Sequence, residues 1–168
     1  SALALIKCLD PNTTNLTVVS PRSFFFYTPL LAGLATGTVK TSSITESIRR
    51  YTNGYGKSNF LLGNCESVDF KAKNVLVQSV SGATTVPYDT LIVCVGAETA
   101  TFGIKGVKEH AVYMKEVEDA LLVQKKVLNK LEEASAMVME GASAEKVKQA
   151  LSWVVIGGGP TVSTPFQC

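Results

Sequence analysis

The sequence predicts an α/β fold with a largely parallel sheet, and three stretches predict it. Residues 15–20 (NLTVVS) and 90–95 (TLIVCV) are short, near-continuous apolar runs, as in strands covered on both faces. Residues 151–156 (LSWVVI) form a third run, which breaks directly into Gly157, Gly158 and Gly159. A long amphipathic stretch separates the second run from the third, an order that suits strand–helix–strand units.

In chain order, residues 1–9 (SALALIKCL) place Leu3, Leu5, Ile6 and Leu9 as in a buried helix, and Pro11 stops it. With the strand at 15–20 this reads as the second half of a βαβ unit whose opening strand and glycine turn lie before Ser1. Phe24, Phe25, Phe26 and Tyr27 match neither helical nor alternating periodicity. They are either a core plug or a surface for a large flat ligand or a partner. Ser43, Ile44, Thr45 and Glu46 read as a capping box opening a helix through Arg50. Residues 59–80 read as a hairpin with its turn at 71–74, followed by a further turn at Ser81, Gly82 and Ala83. Residues 99–107 are a glycine-spaced connection.

Residues 115–133 form the clearest helix. Glu116, Glu118 and Asp119 suit the positive end of its dipole, and Val117, Ala120, Leu121, Val127, Leu128 and Leu131 line one face. Gln124 is the one polar residue on that face. Residues 134–141 read as a small-residue link, and 142–151 as a weaker helix leading into the third strand.

The totals exclude several classes. At 168 residues and 46% hydrophobic, the chain suits one domain or parts of two, with ample core material. A net charge of +2, with basic residues single or paired, argues against nucleic acid as a partner. Cys8, Cys65, Cys94 and Cys168 are widely spaced beside a single histidine, which removes a zinc site and a dithiol motif and leaves buried free thiols. No run reaches the roughly 20 apolar residues of a membrane span, and no basic-then-apolar leader is present.

A strand breaking into consecutive glycines is how a dinucleotide-binding βαβ unit begins. The glycines let the backbone approach a pyrophosphate, and the next helix offers its N-terminal NH groups. Here Val162 stands where the third glycine of that pattern belongs, and no acidic residue follows to hold a ribose.

Several stretches together resemble one family. They are Thr17-Val18-Val19-Ser20-Pro21-Arg22, Tyr27-Thr28-Pro29-Leu30-Leu31, Gly37-Thr38-Val39, Tyr88-Asp89, Val95-Gly96-Ala97 and Thr101-Phe102-Gly103-Ile104. Gly106-Val107, Lys115-Glu116-Val117-Glu118-Asp119-Ala120 and Val155-Ile156-Gly157-Gly158-Gly159-Pro160-Thr161 complete the set. In this order they resemble the type II (alternative, rotenone-insensitive) NADH dehydrogenases, NADH:ubiquinone oxidoreductases of the two-dinucleotide-binding-domain flavoprotein superfamily.

The resemblance implies an FAD/NAD(P)-binding Rossmann-like sheet with an inserted β-hairpin, incomplete at both termini. It implies a partial FAD domain over 1–114, a helical link with the first strand and glycine turn of the NADH domain over 115–161, and a divergent tail over 162–168. It also implies bound FAD, NADH as substrate and a quinone as acceptor, with no catalytic acid–base side chain because the cofactor carries the hydride chemistry. By the same resemblance Ser20, Pro21 and Arg22 lie beside the adenosine, and Thr28, Pro29 and Leu30 near the isoalloxazine. Val68 lies near the adenine, and Val95, Gly96 and Ala97 back the phosphates. Gly157, Gly159, Pro160 and Thr161 begin the NADH turn.

The family associates peripherally with a membrane, the mitochondrial inner membrane in eukaryotes and otherwise the cytoplasmic membrane. Its anchor and targeting segments have no counterpart in this sequence, and a homo-oligomer is open to it. The family's first FAD glycine turn has no counterpart either, and similarity stops after Thr161, so an inactive fragment is expected. A non-catalytic module pairing through exposed sheet edges is the alternative. A disulfide reductase is disfavoured by the missing C-x-x-x-x-C.

Overall fold

The computed structural model describes residues 8–10, 12–53 and 56–157. Its chain divides into two compact units, one of residues 1–25 and 45–97, the other of residues 26–44 and 98–168. The architecture is α/β, with both parallel and antiparallel pairing in one sheet.

In the first unit β1 (Leu16–Ser20) lies parallel to β4 (Ser58–Asp69), with Leu16 opposite Ser58 and Ser20 opposite Leu62. The short apolar run thus feeds a parallel ladder as the sequence predicts, but at the edge of the described sheet with none of its residues fully buried, rather than covered on both faces. β4 then turns back as β5 (Asn74–Ser79) and again as β6 (Gly82–Pro87), giving the order β1-β4-β5-β6. The first turn is built by Asp69, whose carboxylate accepts the N–H groups of Lys71 and Ala72 at 2.9 Å each. This local mimic of a backbone turn is why aspartate sits there. Val75 and Val77 are buried and Leu76 is exposed, the period of two expected of a strand with one covered face.

The hairpin is therefore present, but it carries a third strand. Residues 82–87 (GATTVP) hold too little apolar material to stand out, and only pairing with β5 (Val75 opposite Val86, Val77 opposite Thr84) makes them a strand. The helix α3 (Ile48–Thr52) packs on β4, with the Arg49 guanidinium 4.8 Å from the centre of the Phe60 ring.

The expected capping box at Ser43 and Glu46 does not form. Ser43 instead lies inside a short helix α2 (Thr41–Ile44), and Glu46 falls in β3 (Thr45–Ser47), which pairs with β2 (Phe24–Phe26). The Tyr27 N–H donates to the Ile44 carbonyl at 2.8 Å and the Ile48 N–H to the Ser23 carbonyl at 3.0 Å. Tertiary pairing with the aromatic strand outweighs a local cap. Glu46 instead meets Arg50 at 3.1 Å on the surface, where an ion pair contributes little.

In the second unit a 3-10 turn (Thr28–Leu30) runs into α1 (Leu31–Ala35), which packs on the long helix α5 (Val117–Met139). Leu31, Leu34, Ala35, Val117 and Ala120 are buried, as are Phe26 and Ile44. α5 opens with a true capping box: the Asp119 carboxylate accepts the N–H of Glu116 at 2.9 Å and of Lys115 at 3.0 Å. It runs past the expected end at Glu133 to Met139. The residues read as a link (ASAMVM) are good helix formers, and the real stop is Gly141 at φ 76, whose N–H donates to the Val138 carbonyl at 3.1 Å. A short helix α4 (Val107–His110) precedes α5, and α6 (Ala144–Ala150) follows it, the latter as expected.

Two expected strands are not strands. Residues 90–95 and 152–156 form no ladder with any neighbour among the described residues, and Val95 and Val154 are 87% and 86% exposed. A buried parallel strand exists only when strands beside it take its N–H and C=O groups, so apolar β-branched composition alone does not create one. The expected helix at residues 1–9 falls outside the described residues apart from its last two. The thiols of Cys8, Cys65 and Cys94 are exposed, against the expectation of burial, because Cys65 lies on an uncovered stretch of β4 and Cys94 on the unpaired segment.

Candidate functional site

Ser20 is the last residue of β1, so the chain leaves the parallel pair at the carboxyl end of that strand. In open α/β sheets this is the side on which ligands bind. The Ser20 hydroxyl accepts the Arg22 N–H at 3.2 Å, closing a tight turn around exposed Pro21. Proline cannot donate a hydrogen bond, and the serine takes over the satisfaction of the next amide. Arg22 is half-buried and engaged in a further interaction.

Val68 sits on β4 opposite Val75, in the antiparallel part of that strand. It is six positions beyond Leu62, the partner of Ser20, or about 20 Å along the strand. Val95, Gly96 and Ala97 are exposed, and Gly96 has φ 74 with open space where a Cβ would point.

Thr28, Pro29 and Leu30 form the 3-10 turn of the second unit, with Pro29 in its first turn, where its fixed φ suits and its missing N–H costs nothing. All three are exposed, although the turn is anchored at both ends: the Leu30 N–H donates to the Tyr27 carbonyl at 3.0 Å, and Leu31 is fully buried. The aromatic run divides its roles. Phe26 enters the core while Phe25 and Tyr27 stay half exposed, so the core-plug reading holds for Phe26 and not for its two neighbours. Gly157 has φ 108 in open space; Gly159, Pro160 and Thr161 lie outside the described residues.

The sequence reading missed the closure of α1, the helix that follows the Thr28–Leu30 turn directly. Helix α1 ends in a left-handed closure. The Thr38 N–H reaches the Gly33 carbonyl at 2.9 Å and the Gly37 N–H the Leu34 carbonyl at 3.1 Å, with Gly37 at φ 75. The Gly33 carbonyl also accepts the hydroxyls of Thr36 and Thr38 at 3.2 and 3.0 Å. The available signal was Gly37-Thr38 following a run of apolar residues.

The Ser20–Arg22 turn thus lies at a parallel strand's carboxyl end in the first unit, and the exposed, anchored Thr28–Leu30 turn lies in the second. The chain belongs to the pyridine nucleotide-disulphide oxidoreductase family, whose model matches residues 2–162.

Within that family it is similar to type II NADH dehydrogenases. It is 42% identical over 165 residues to the external NADH-ubiquinone oxidoreductase 2 of Saccharomyces cerevisiae mitochondria, covering 95% of this chain and 30% of that protein. The match to the external alternative NAD(P)H-ubiquinone oxidoreductase B2 of Arabidopsis thaliana mitochondria is 35% over 165 residues, or 94% of this chain and 28% of that protein. Among solved structures, NDH2 of Plasmodium falciparum in complex with NADH superposes with a TM-score of 0.72 at 36% identity, covering 77% of this chain and 27% of that one. The chain thus spans about 30% of the length of the curated relatives it matches.

Proposed function

We propose that this chain contributes the flavin-holding part of an enzyme that oxidises NADH through FAD and reduces a quinone. The observation that carries the reading is the parallel β1/β4 pair, with the Ser20–Pro21–Arg22 turn at its carboxyl end, in a chain similar over nearly its whole length to NADH-ubiquinone oxidoreductases.

The residues fit the cofactor. A planar ring wants apolar and backbone contacts, and Pro29 and Leu30 present exposed apolar groups on an anchored turn. A pyrophosphate wants close backbone approach, and Gly96 leaves the space for it. FAD, when bound, supplies the hydride and electron chemistry. In this reading Ser20, Pro21 and Arg22 hold the adenosine, with Val68 towards the adenine, and Thr28, Pro29 and Leu30 face the ring. Val95, Gly96 and Ala97 back the phosphates, while Gly157, Gly159, Pro160 and Thr161 begin the NADH turn. Residues 1–114 serve the flavin and 115–161 lead into the NADH module.

The relatives' names support a mitochondrial location, and in this reading the chain belongs to a protein held peripherally on the inner membrane face, as the family resemblance implies. No helix among the described residues is long and apolar enough to cross a membrane.

The test is incubation of the purified chain with FAD, gel filtration, and an absorbance spectrum. Flavin bands co-eluting with protein are expected, and they should bleach on addition of NADH if the NADH turn is also competent. A colourless protein peak would remove the reading for this chain and leave the family's scaffold without its cofactor.

A further inference from the structure

Resting on the flavin reading above, we infer that Gln124 is a positioning residue that fixes where the Thr28–Leu30 turn stands. Gln124 is half-buried on the face of α5 that carries the buried residues Val117 and Ala120 and the half-buried Val127. A polar side chain on such a face needs a reason. Its amide nitrogen lies 2.7 Å from the place a Cβ would occupy on Gly37, the left-handed residue that closes α1. The amide therefore occupies the space that the glycine leaves open, and a side chain at position 37 would have to displace it.

The physical consequence concerns register. Leu31, Leu34 and Ala35 pack against α5 through apolar contacts, which are non-directional and tolerate sliding of one short helix along another. A side chain seated in a notch of the facing helix is a directional contact that picks one register. With α1 only Leu31–Ala35 long and the turn Thr28–Leu30 joined to it without a linker, a slip of α1 moves the turn by the same amount. Gln124, seated in the Gly37 notch, stops that slip.

The test compares Gln124→Ala, Gln124→Met and Gln124→Leu with the unsubstituted full chain, using FAD as the probe. Two readouts are taken: the FAD dissociation constant with the flavin band position, and amide hydrogen exchange at residues 31–39. Gln124→Ala is expected to weaken FAD binding by about tenfold, with a band shift, because misplaced contacts lose affinity steeply. It should also speed exchange at Gly37, Thr38 and Val39. Gln124→Met, of the same length, should restore both readouts, whereas the branched Gln124→Leu, a poor fit to the notch, should not. Leu128→Ala, on the same helix at a 55% exposed site, should move neither.

Unchanged exchange in Gln124→Ala, or Gln124→Met behaving as badly as alanine, overturns the inference. If the unsubstituted chain holds no flavin, the functional reading falls instead, and the exchange readout alone decides whether Gln124 sets the register.

Discussion

At the scale of single residues, the most family-like sequences turn out to be structural joints. In Lys115-Glu116-Val117-Glu118-Asp119-Ala120, Asp119 takes two backbone N–H groups while Val117 and Ala120 are core. Asp119→Ala leaves those donors to water and is expected to cost about 1 kcal/mol, the usual worth of an N-terminal cap, read from the urea midpoint. Gly37→Ala should cost more. It forces alanine into the left-handed region at roughly 1–2 kcal/mol and drives its Cβ into the Gln124 amide, 2.7 Å away. Glu46→Ala removes only the exposed pair with Arg50, so its midpoint should stay within about 0.5 kcal/mol of the unsubstituted chain. A large loss there would mean that β3 depends on Glu46 in a way its surface position does not indicate.

At the scale of elements, what could be read from the sequence was whatever is decided locally. The β1 run, the hairpin turn read at 71–74 and the acidic start of α5 each carry their cause within a few residues, and each stands within a residue or so of where the pattern put it. β6 and the β2/β3 pair were not readable, because both are made by a partner strand distant in sequence or by composition too polar to stand out. The same physics took away the strands at 90–95 and 152–156. For the site, the Ser20 turn and the Thr28–Leu30 turn were legible as motifs, but the seating of Gln124 against Gly37 joins residues some ninety positions apart and could not be read locally. The unpaired apolar segments have a measurable consequence, since contiguous exposed apolar stretches associate. Val93→Lys combined with Val154→Lys should lower light scattering at high protein concentration and leave the far-ultraviolet circular dichroism unchanged. A change in the dichroism would show that these segments are paired in solution.

At the scale of the whole molecule, a ligand that binds only folded protein stabilises it by mass action, so cofactor binding and stability become one measurement. At a free FAD concentration 100 times its dissociation constant, the expected gain is about 2.7 kcal/mol, seen as a rise in the melting temperature. The gain should depend on the residues proposed to hold the cofactor and on Gln124, which fixes one of their turns, and not on a cap elsewhere in the fold. Arg22 closes the turn after β1 with its backbone, through the Ser20 hydroxyl, and that bond survives removal of its side chain. Arg22→Ala also removes the further interaction of a half-buried residue, so it should melt somewhat below the unsubstituted chain without FAD and recover only part of the rise when FAD is added. Asp119→Ala should differ in the increment, with a lower melt in both conditions and the full FAD increment retained. If both variants lose stability without FAD and keep the same increment, Arg22 belongs to the scaffold, and the adenosine end of the proposed site has to be sought elsewhere along the carboxyl edge of the sheet.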